Sequence, residues 1–399
     1  MIRLERNRHH MYWFFESRDK SDAAPLIVWL NGVPGQAPIF GTSAGMSPCT
    51  INKRGELVRN PFSWNRRAHL LFFDMYNRTE SKYFAKYHAS KLFIQLFANE
   101  YPAYVKNGIH IFAQSYDATS AIVVANIIQR IPSKDAEPLR VLSVGIGNPI
   151  IDMQTQMEAY PEEFKKVEKD ERISIEMGNR LKELSSTCSN CTGLQPLQTC
   201  EALVTKLSDF AFNPYLSRNH QLLNQKGFDY DRLNTQINRA EHVFRTVPSL
   251  IEYAQSRSNH PLSDKHFQPR GKRTFECYLK EIEHLLEQKV SVLIYSGADD
   301  YISNPEGLLK AAKRIKRGGR YEIKHSPPDT YYHPQTYQPI FTERGSNRLK
   351  LATLPSAGHL AQYDNPASAQ QLIESWISDN TPQNQGRLDT KYIYRYLVS

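Results

Sequence analysis

Ile109-His110-Ile111-Phe112-Ala113-Gln114-Ser115-Tyr116-Asp117-Ala118 runs an apolar segment into small residues around a serine, and a helical pattern follows over 120–129. The spacing predicts a strand over 109–113, a sharp turn at Ser115 and a helix behind it. Such an elbow exposes the serine hydroxyl. The helix N-terminus behind it supplies N–H groups and a dipole that favours a developing oxyanion. A serine at a strand–helix junction is more often a helix cap, so the stretch needs partners elsewhere in the chain.

Two later segments supply candidates. Val292-Leu293-Ile294-Tyr295-Ser296-Gly297 reads as a buried strand that runs into Asp299-Asp300. Leu354-Pro355-Ser356-Ala357-Gly358-His359 places a histidine in a loop of small residues beyond another strand. Serine is a poor nucleophile until a base takes its proton, and an acid must hold that base in one tautomer. The order Ser115, Asp300, His359 is that of the α/β hydrolases.

Further out, apolar runs predict strands over 11–15, 26–30, 69–73, 139–146 and 290–295, with 348–353 as the last strand. Helical spacing covers 89–105, with an end near Pro102, and also 276–288 and 367–378. Strands alternating with helices predict a mostly parallel sheet covered by helices. The pattern turns helical and polar over 152–259, which reads as an insertion. The expected organisation is a core in two parts, 1–151 and 260–399, with a helical cap between them over 152–259. The polar tail beyond 379 is expected to be partly disordered.

Composition narrows the function classes. The chain has 399 residues, 23% charged and 40% hydrophobic, and a net charge of +9. Its apolar runs fall short of the ~18 residues of a membrane helix, so no membrane span is expected. The basic cluster over 313–320 reads as a solvated helix end before a glycine turn. No aromatic residues interleave with its charges, so nucleic acid is not an expected partner. Met1–His10 is polar and basic with no apolar run behind it, so no signal peptide is visible. Of five cysteines, Cys188, Cys191 and Cys200 cluster without a fourth metal ligand at suitable spacing, which favours a disulfide or free thiols over zinc.

At this level of detail the chain resembles the serine carboxypeptidase family. Tyr12-Trp13-Phe14-Phe15-Glu16-Ser17 looks like the family's opening strand, and Trp29-Leu30-Asn31-Gly32-Val33-Pro34-Gly35 is similar to its W-L-N-G-G-P-G loop. Asn60-Pro61-Phe62-Ser63-Trp64-Asn65 matches N-P-Y-S-W-N, and Gly145-Ile146-Gly147-Asn148 resembles the I-G-N segment before the cap. Gly297-Ala298-Asp299-Asp300-Tyr301-Ile302-Ser303-Asn304 looks like G-D-x-D-x-x-C-N, and Ala357-Gly358-His359-Leu360 resembles G-G-H-M. The resemblance implies an α/β-hydrolase fold with a mostly parallel central sheet and a helical cap insertion. It makes Ser115 the nucleophile, Asp300 the orienting acid and His359 the base. The N–H groups of Val33 and Tyr116 would form the oxyanion hole, and Asn31, Gly32 and Gln114 would contact substrate. The implied reaction removes one residue from the C-terminus of a peptide or protein through an acyl-enzyme, with no metal or cofactor. A homodimer stays open, and so do a non-catalytic binding role and an acyltransferase. The family's usual address is secretory or lysosomal/vacuolar.

The departures from the family pattern sit at the site. Val33 replaces a glycine, Ala113 and Ala118 replace both elbow glycines, and Asp117 replaces an alanine. Gln114 stands where the family has a glutamate, and Gly45 aligns with a second one. Carboxylates that share a proton give the family its acidic preference, whereas an amide donates at any pH. The expectation is a peptidase without an acid optimum.

Overall fold

The computed structural model describes residues 2–5, 8–10, 12–30, 45–51, 56–73, 85–115, 118–131, 138–159, 162–163, 175, 179, 277–300, 303–316, 320–382 and 394–396. Nearly all of the expected cap, with Cys188, Cys191 and Cys200, lies outside these residues. So do Asn31, Gly32, Val33, Tyr116 and Asp117.

The chain opens with a small antiparallel pair, β1 (Ile2–Glu5) and β2 (Arg8–His10). The elements that follow are β3 (Tyr12–Phe15), β4 (Leu26–Leu30), a second small pair β5 (Cys49–Ile51) and β6 (Leu57–Arg59), and β7 (His69–Phe73). Then come α1 (Ala85–Glu100), β8 (Ile109–Gln114), α2 (Ala118–Arg130), β9 (Val141–Gly147) and α3 (Met153–Met157). Beyond the expected cap lie α4 (Leu279–Glu287), β10 (Ser291–Gly297), α5 (Pro305–Ala312) and α6 (Arg320–His325). The chain closes with β11 (Asp329–Tyr332), β12 (Pro339–Gly345), β13 (Leu349–Leu354), α7 (Ala361–Asp364), α8 (Pro366–Asn380) and β14 (Tyr394–Tyr396).

Among the described residues, ten strands form one sheet in the order β14-β11-β12-β13-β10-β9-β8-β4-β7-β3. The run from β13 to β7 is parallel throughout, and antiparallel strands extend it on both sides. Parallel strands are buried on both faces, which explains why they read as unbroken apolar runs. Alternate residues of β4 divide between two cores. Leu26, Val28 and Leu30 face α1, α2 and α4, while Ile27 and Trp29 join Phe112, Tyr295, Ile373 and Trp376 on the α8 side. Each such aliphatic side chain, fully buried, contributes about 1.5–3 kcal/mol.

The central strands and the helices behind them lie where their periodicity predicts. α1 ends at Glu100, just before Pro102, which opens a separate short 3-10 turn, Pro102–Tyr104. Elsewhere the sheet extends beyond what periodicity predicts. The hairpin β11–β12 was not expected. Apart from the buried Ile340 and Phe341 its residues are mostly half-exposed and alternate weakly, and cross-strand pairs support it, such as Thr330 Oγ1 with Thr342 Oγ1 at 2.9 Å and the stacked Tyr331–Phe341 rings at 4.5 Å. β13 is not the last strand, since β14 in the polar tail pairs antiparallel with β11. A three-residue edge strand has too little pattern to show in sequence.

The start of the expected cap is fastened to the core. Asp152 caps α3 by accepting from Thr155, and its carboxylate also receives Arg314 Nη1 at 2.7 Å. Arg314 is therefore turned inward from the basic cluster. No helix among the described residues is long and apolar enough to cross a membrane.

Candidate active site

β8, β10 and β13 are parallel and in register, so their C-terminal ends lie along one edge of the sheet. The segments that follow them carry Ser115, Asp300 and His359. In parallel sheets this edge is where side chains from different strands can converge.

Ser115 follows β8 directly and has φ +57°. A non-glycine residue there is sterically costly, on the order of 1–3 kcal/mol. The conformation lifts the hydroxyl off the strand axis, as the elbow reading requires. The flanking Ala113 and Ala118 are fully buried, so the turn packs tightly with methyl groups in place of glycines.

His359 sits in the loop between β13 and α7. Ser115 Oγ lies 2.7 Å from His359 Nε2, and His359 Nδ1 lies 3.0 Å from Asp300 Oδ2. The carboxylate can only accept, so Nδ1–H donates to Asp300. That leaves the Nε2 lone pair facing the serine O–H. Asp300 is buried and fully engaged: Asn148 Nδ2 donates to Oδ2 at 2.6 Å, and the Ser303 N–H donates to Oδ1 at 3.1 Å. Burial alone would push the Asp300 carboxyl up. The His359 ring, Asn148 and the Ser303 N–H outweigh it and hold the group below the ordinary carboxylate range. Burial likewise works to lower His359, but Asp300 and then Asp364 reverse it, so the imidazole ends above its usual 6.5.

The loop bearing His359 is pinned on several sides. Gly358 N–H donates to Asp364 Oδ2 at 2.8 Å, and Asn148 Nδ2 donates to the Gly358 carbonyl at 3.1 Å. A Cβ on Gly297 would run into the Ala357 and Gly358 carbonyls, so β10 approaches this loop as only glycine allows. Asn148 has φ +46°, a conformation asparagine tolerates better than most residues.

Gln114 was expected to contact substrate. The structure turns its amide into the protein. Nε2 donates to the His359 carbonyl at 2.6 Å and reaches Asn148 Oδ1 at 3.4 Å, while Oε1 accepts from Gln362 Nε2. Gly45 has φ +89°, and a Cβ there would stand 2.6 Å from the Gln362 carbonyl oxygen. Asn31, Gly32, Val33 and Tyr116 lie outside the described residues. The sequence reading passed over Asn148, Ser303, Gln362 and Asp364 as functional residues. Asn148 and Ser303 left a signal, the first at the end of the Gly145-Ile146-Gly147-Asn148 segment and the second within the Gly297–Asn304 segment.

A family model described as serine carboxypeptidase matches residues 2–379. The chain belongs to the serine carboxypeptidase family. Among its curated relatives, carboxypeptidase Y homolog A of Phaeosphaeria nodorum is 25% identical over 396 residues, covering 94% of this chain and 72% of that protein. The vacuolar serine-type carboxypeptidase ATG42 of Saccharomyces cerevisiae is 25% identical over 401 residues, covering 94% and 77%. Among solved structures, Kex1(delta)p, a prohormone-processing carboxypeptidase from Saccharomyces cerevisiae, superposes with a TM-score of 0.70 at 19% identity, covering 93% of this chain and 86% of that one. The α/β-hydrolase fold of the serine carboxypeptidases is thus this chain's fold, with the sheet and flanking helices described above.

Proposed function

We propose that this serine carboxypeptidase family member is an active serine-type carboxypeptidase that removes the C-terminal residue of peptides through an acyl-enzyme on Ser115. The observation that carries the reading is the hydrogen-bonded line Ser115 Oγ, His359 and Asp300 at 2.7 and 3.0 Å, built on a nucleophile with φ +57°. His359 Nε2 takes the serine proton as Oγ attacks the scissile carbonyl, then returns it to the leaving amine. Water repeats the sequence to release the shortened peptide. In this reading the N–H groups of Val33 and Tyr116 receive the oxyanion, and Asn31 and Gly32 meet the terminal carboxylate. One such donor contributes about 3–4 kcal/mol to the transition state.

A fluorophosphonate probe reports the nucleophile directly. Labelling is expected in the native chain and absent in Ser115→Ala, with release of the last residue from an N-blocked dipeptide lost in parallel. No labelling of the native chain at high probe concentration would sink this reading and leave a binding protein of the same fold.

The supporting hints about compartment are chemical. Cys277 is disulfide-bonded, a state that persists in oxidising compartments, and one relative is named vacuolar. We take the secretory or vacuolar route as the working address, tested by localising the full-length tagged protein.

A further inference from the structure

We propose that Gln362 is a positioning residue for the His359 base, acting through Gln114, and that the two amides form a relay that holds the catalytic loop. The inference deepens the peptidase reading and rests on it for its kinetic consequences.

The backbone carbonyl of His359 can only accept, so the Gln114 atom 2.6 Å from it must be Nε2. Gln114 Oε1 then points the other way, towards α7, and needs a donor. Gln362, fully buried on α7, supplies it from Nε2. A carboxamide has nearly the same shape when flipped. What selects the working orientation at 114 is the donor at 362. Were the amide to flip, its oxygen would oppose the His359 carbonyl and press on the loop that sets the 2.7 Å contact to Ser115.

A second observation separates this role from packing. Gln362 Oε1 is buried with no hydrogen-bond partner among the described residues. A buried amide that leaves its own oxygen unmatched is a poor choice for filling space, since an apolar side chain of the same length avoids that cost. The position makes chemical sense for its N–H. The relay continues past Gln114, because Asn148 meets the same amide at 3.4 Å and donates to Asp300 at 2.6 Å. Residue 362 is therefore linked by side-chain amides to the acid as well as to the base. Gly45 closes the arrangement from the far side, with the Gln362 backbone filling the space a side chain at 45 would need.

Two variants test the relay in the full chain. Gln362→Met removes the donor and also the unmatched oxygen. The melting temperature is expected to stay near the native value while kcat falls on the order of tenfold to a hundredfold, the scale of a misplaced catalytic group, with KM little changed. Gln362→Glu places a titratable group against Gln114. Ionised, it draws the Gln114 N–H away from the loop; protonated, it restores the native donor. Its kcat is expected to fall at least as far as that of Gln362→Met across the pH range in which His359 is neutral. The independent readout is an NMR pH titration of the His359 ring, which Asp300 and Asp364 face in every variant. The native ring is expected to show one inflection and the Gln362→Glu ring two. Native-like kcat and a single native inflection in both variants would overturn the relay. If the native chain neither labels nor cleaves peptide, the peptidase reading fails, while the His359 titration still decides whether Gln362 governs the ring's surroundings.

Discussion

One strand serves two histidines in opposite ways. β8 begins beside His110 and ends at Ser115, where His359 meets it. His359 faces a carboxylate, and its imidazole is raised above 6.5 despite burial. His110 faces only hydroxyls. Ser143 Oγ accepts from Trp376 Nε1–H at 2.9 Å and pairs with His110 Nδ1 at 2.7 Å, and His110 Nε2 pairs with Thr381 Oγ1 at 3.1 Å. With no charge to oppose it, burial pushes His110 down to about 3. Burial is common to both rings, and the partner decides the sign. Near one end of the strand the protein raises a ring's proton affinity with a carboxylate. Near the other it builds a neutral strut that ties the end of α8 to the sheet.

The contrast can be broken first at Asp300. Asp300→Asn removes the charge that raises His359 and the acceptor that fixes its tautomer. A fall in kcat/KM of about 10⁴ is expected, with the His359 titration moving down towards the direction His110 shows. A loss under about tenfold would mean that Asp300 is not the orienting acid.

The native pH–rate profile is the next lever. The base must be neutral to accept the serine proton, so activity is lost as pH falls through the raised His359 value. The acid limb of kcat/KM is expected above 6.5, the ordinary histidine value, with about a tenfold loss per pH unit below it. A rate maximum well to the acid side of that value would contradict the amide network around Gln114.

At the other end the observable is stability. His110 refuses in the folded state a proton that the unfolded chain accepts, so stability is full above the ordinary 6.5 and drains away as pH falls towards the folded value near 3. His110→Leu should cost about 1–3 kcal/mol at neutral pH through its unpaired neighbours, yet flatten the slope below 6.5. Denaturant midpoints measured across that range check both parts. An unchanged slope would show that His110 does not carry the acid sensitivity.

The smallest expected effect is at Thr381→Val, which strips the hydrogen-bond partner from His110 Nε2. About 1 kcal/mol of stability is expected to be lost with kcat/KM untouched. A loss of activity there would mean that the two ends of β8 are coupled.

These two ends were not equally legible. The 109–118 stretch announced a strand, an elbow and a helix, because a buried parallel strand must be apolar on both faces and a nucleophile turn needs small neighbours. Asp300 and His359 were readable from their places just past strands and from motif order. His110 gave no warning, since one histidine in an apolar run looks the same whether it is strut, ligand or accident. The hairpin β11–β12 and the strand β14 were missed for a related reason. Their stability comes from cross-strand partners, which local periodicity does not record.

By itself the sequence determined the parallel core, the family and the residue types of the triad, because apolar period and motif order are properties of neighbours along the chain. Only the tertiary structure decided what surrounds them. It tied the Gln114 amide to the His359 carbonyl, Asn148 and Gln362. It put Asn148 and Ser303 on Asp300, and it left Gly45 with no room for a side chain. It also set the two histidines apart. Each of these depends on which groups from distant segments meet in low dielectric, where one carboxylate more or less reverses the behaviour of a ring.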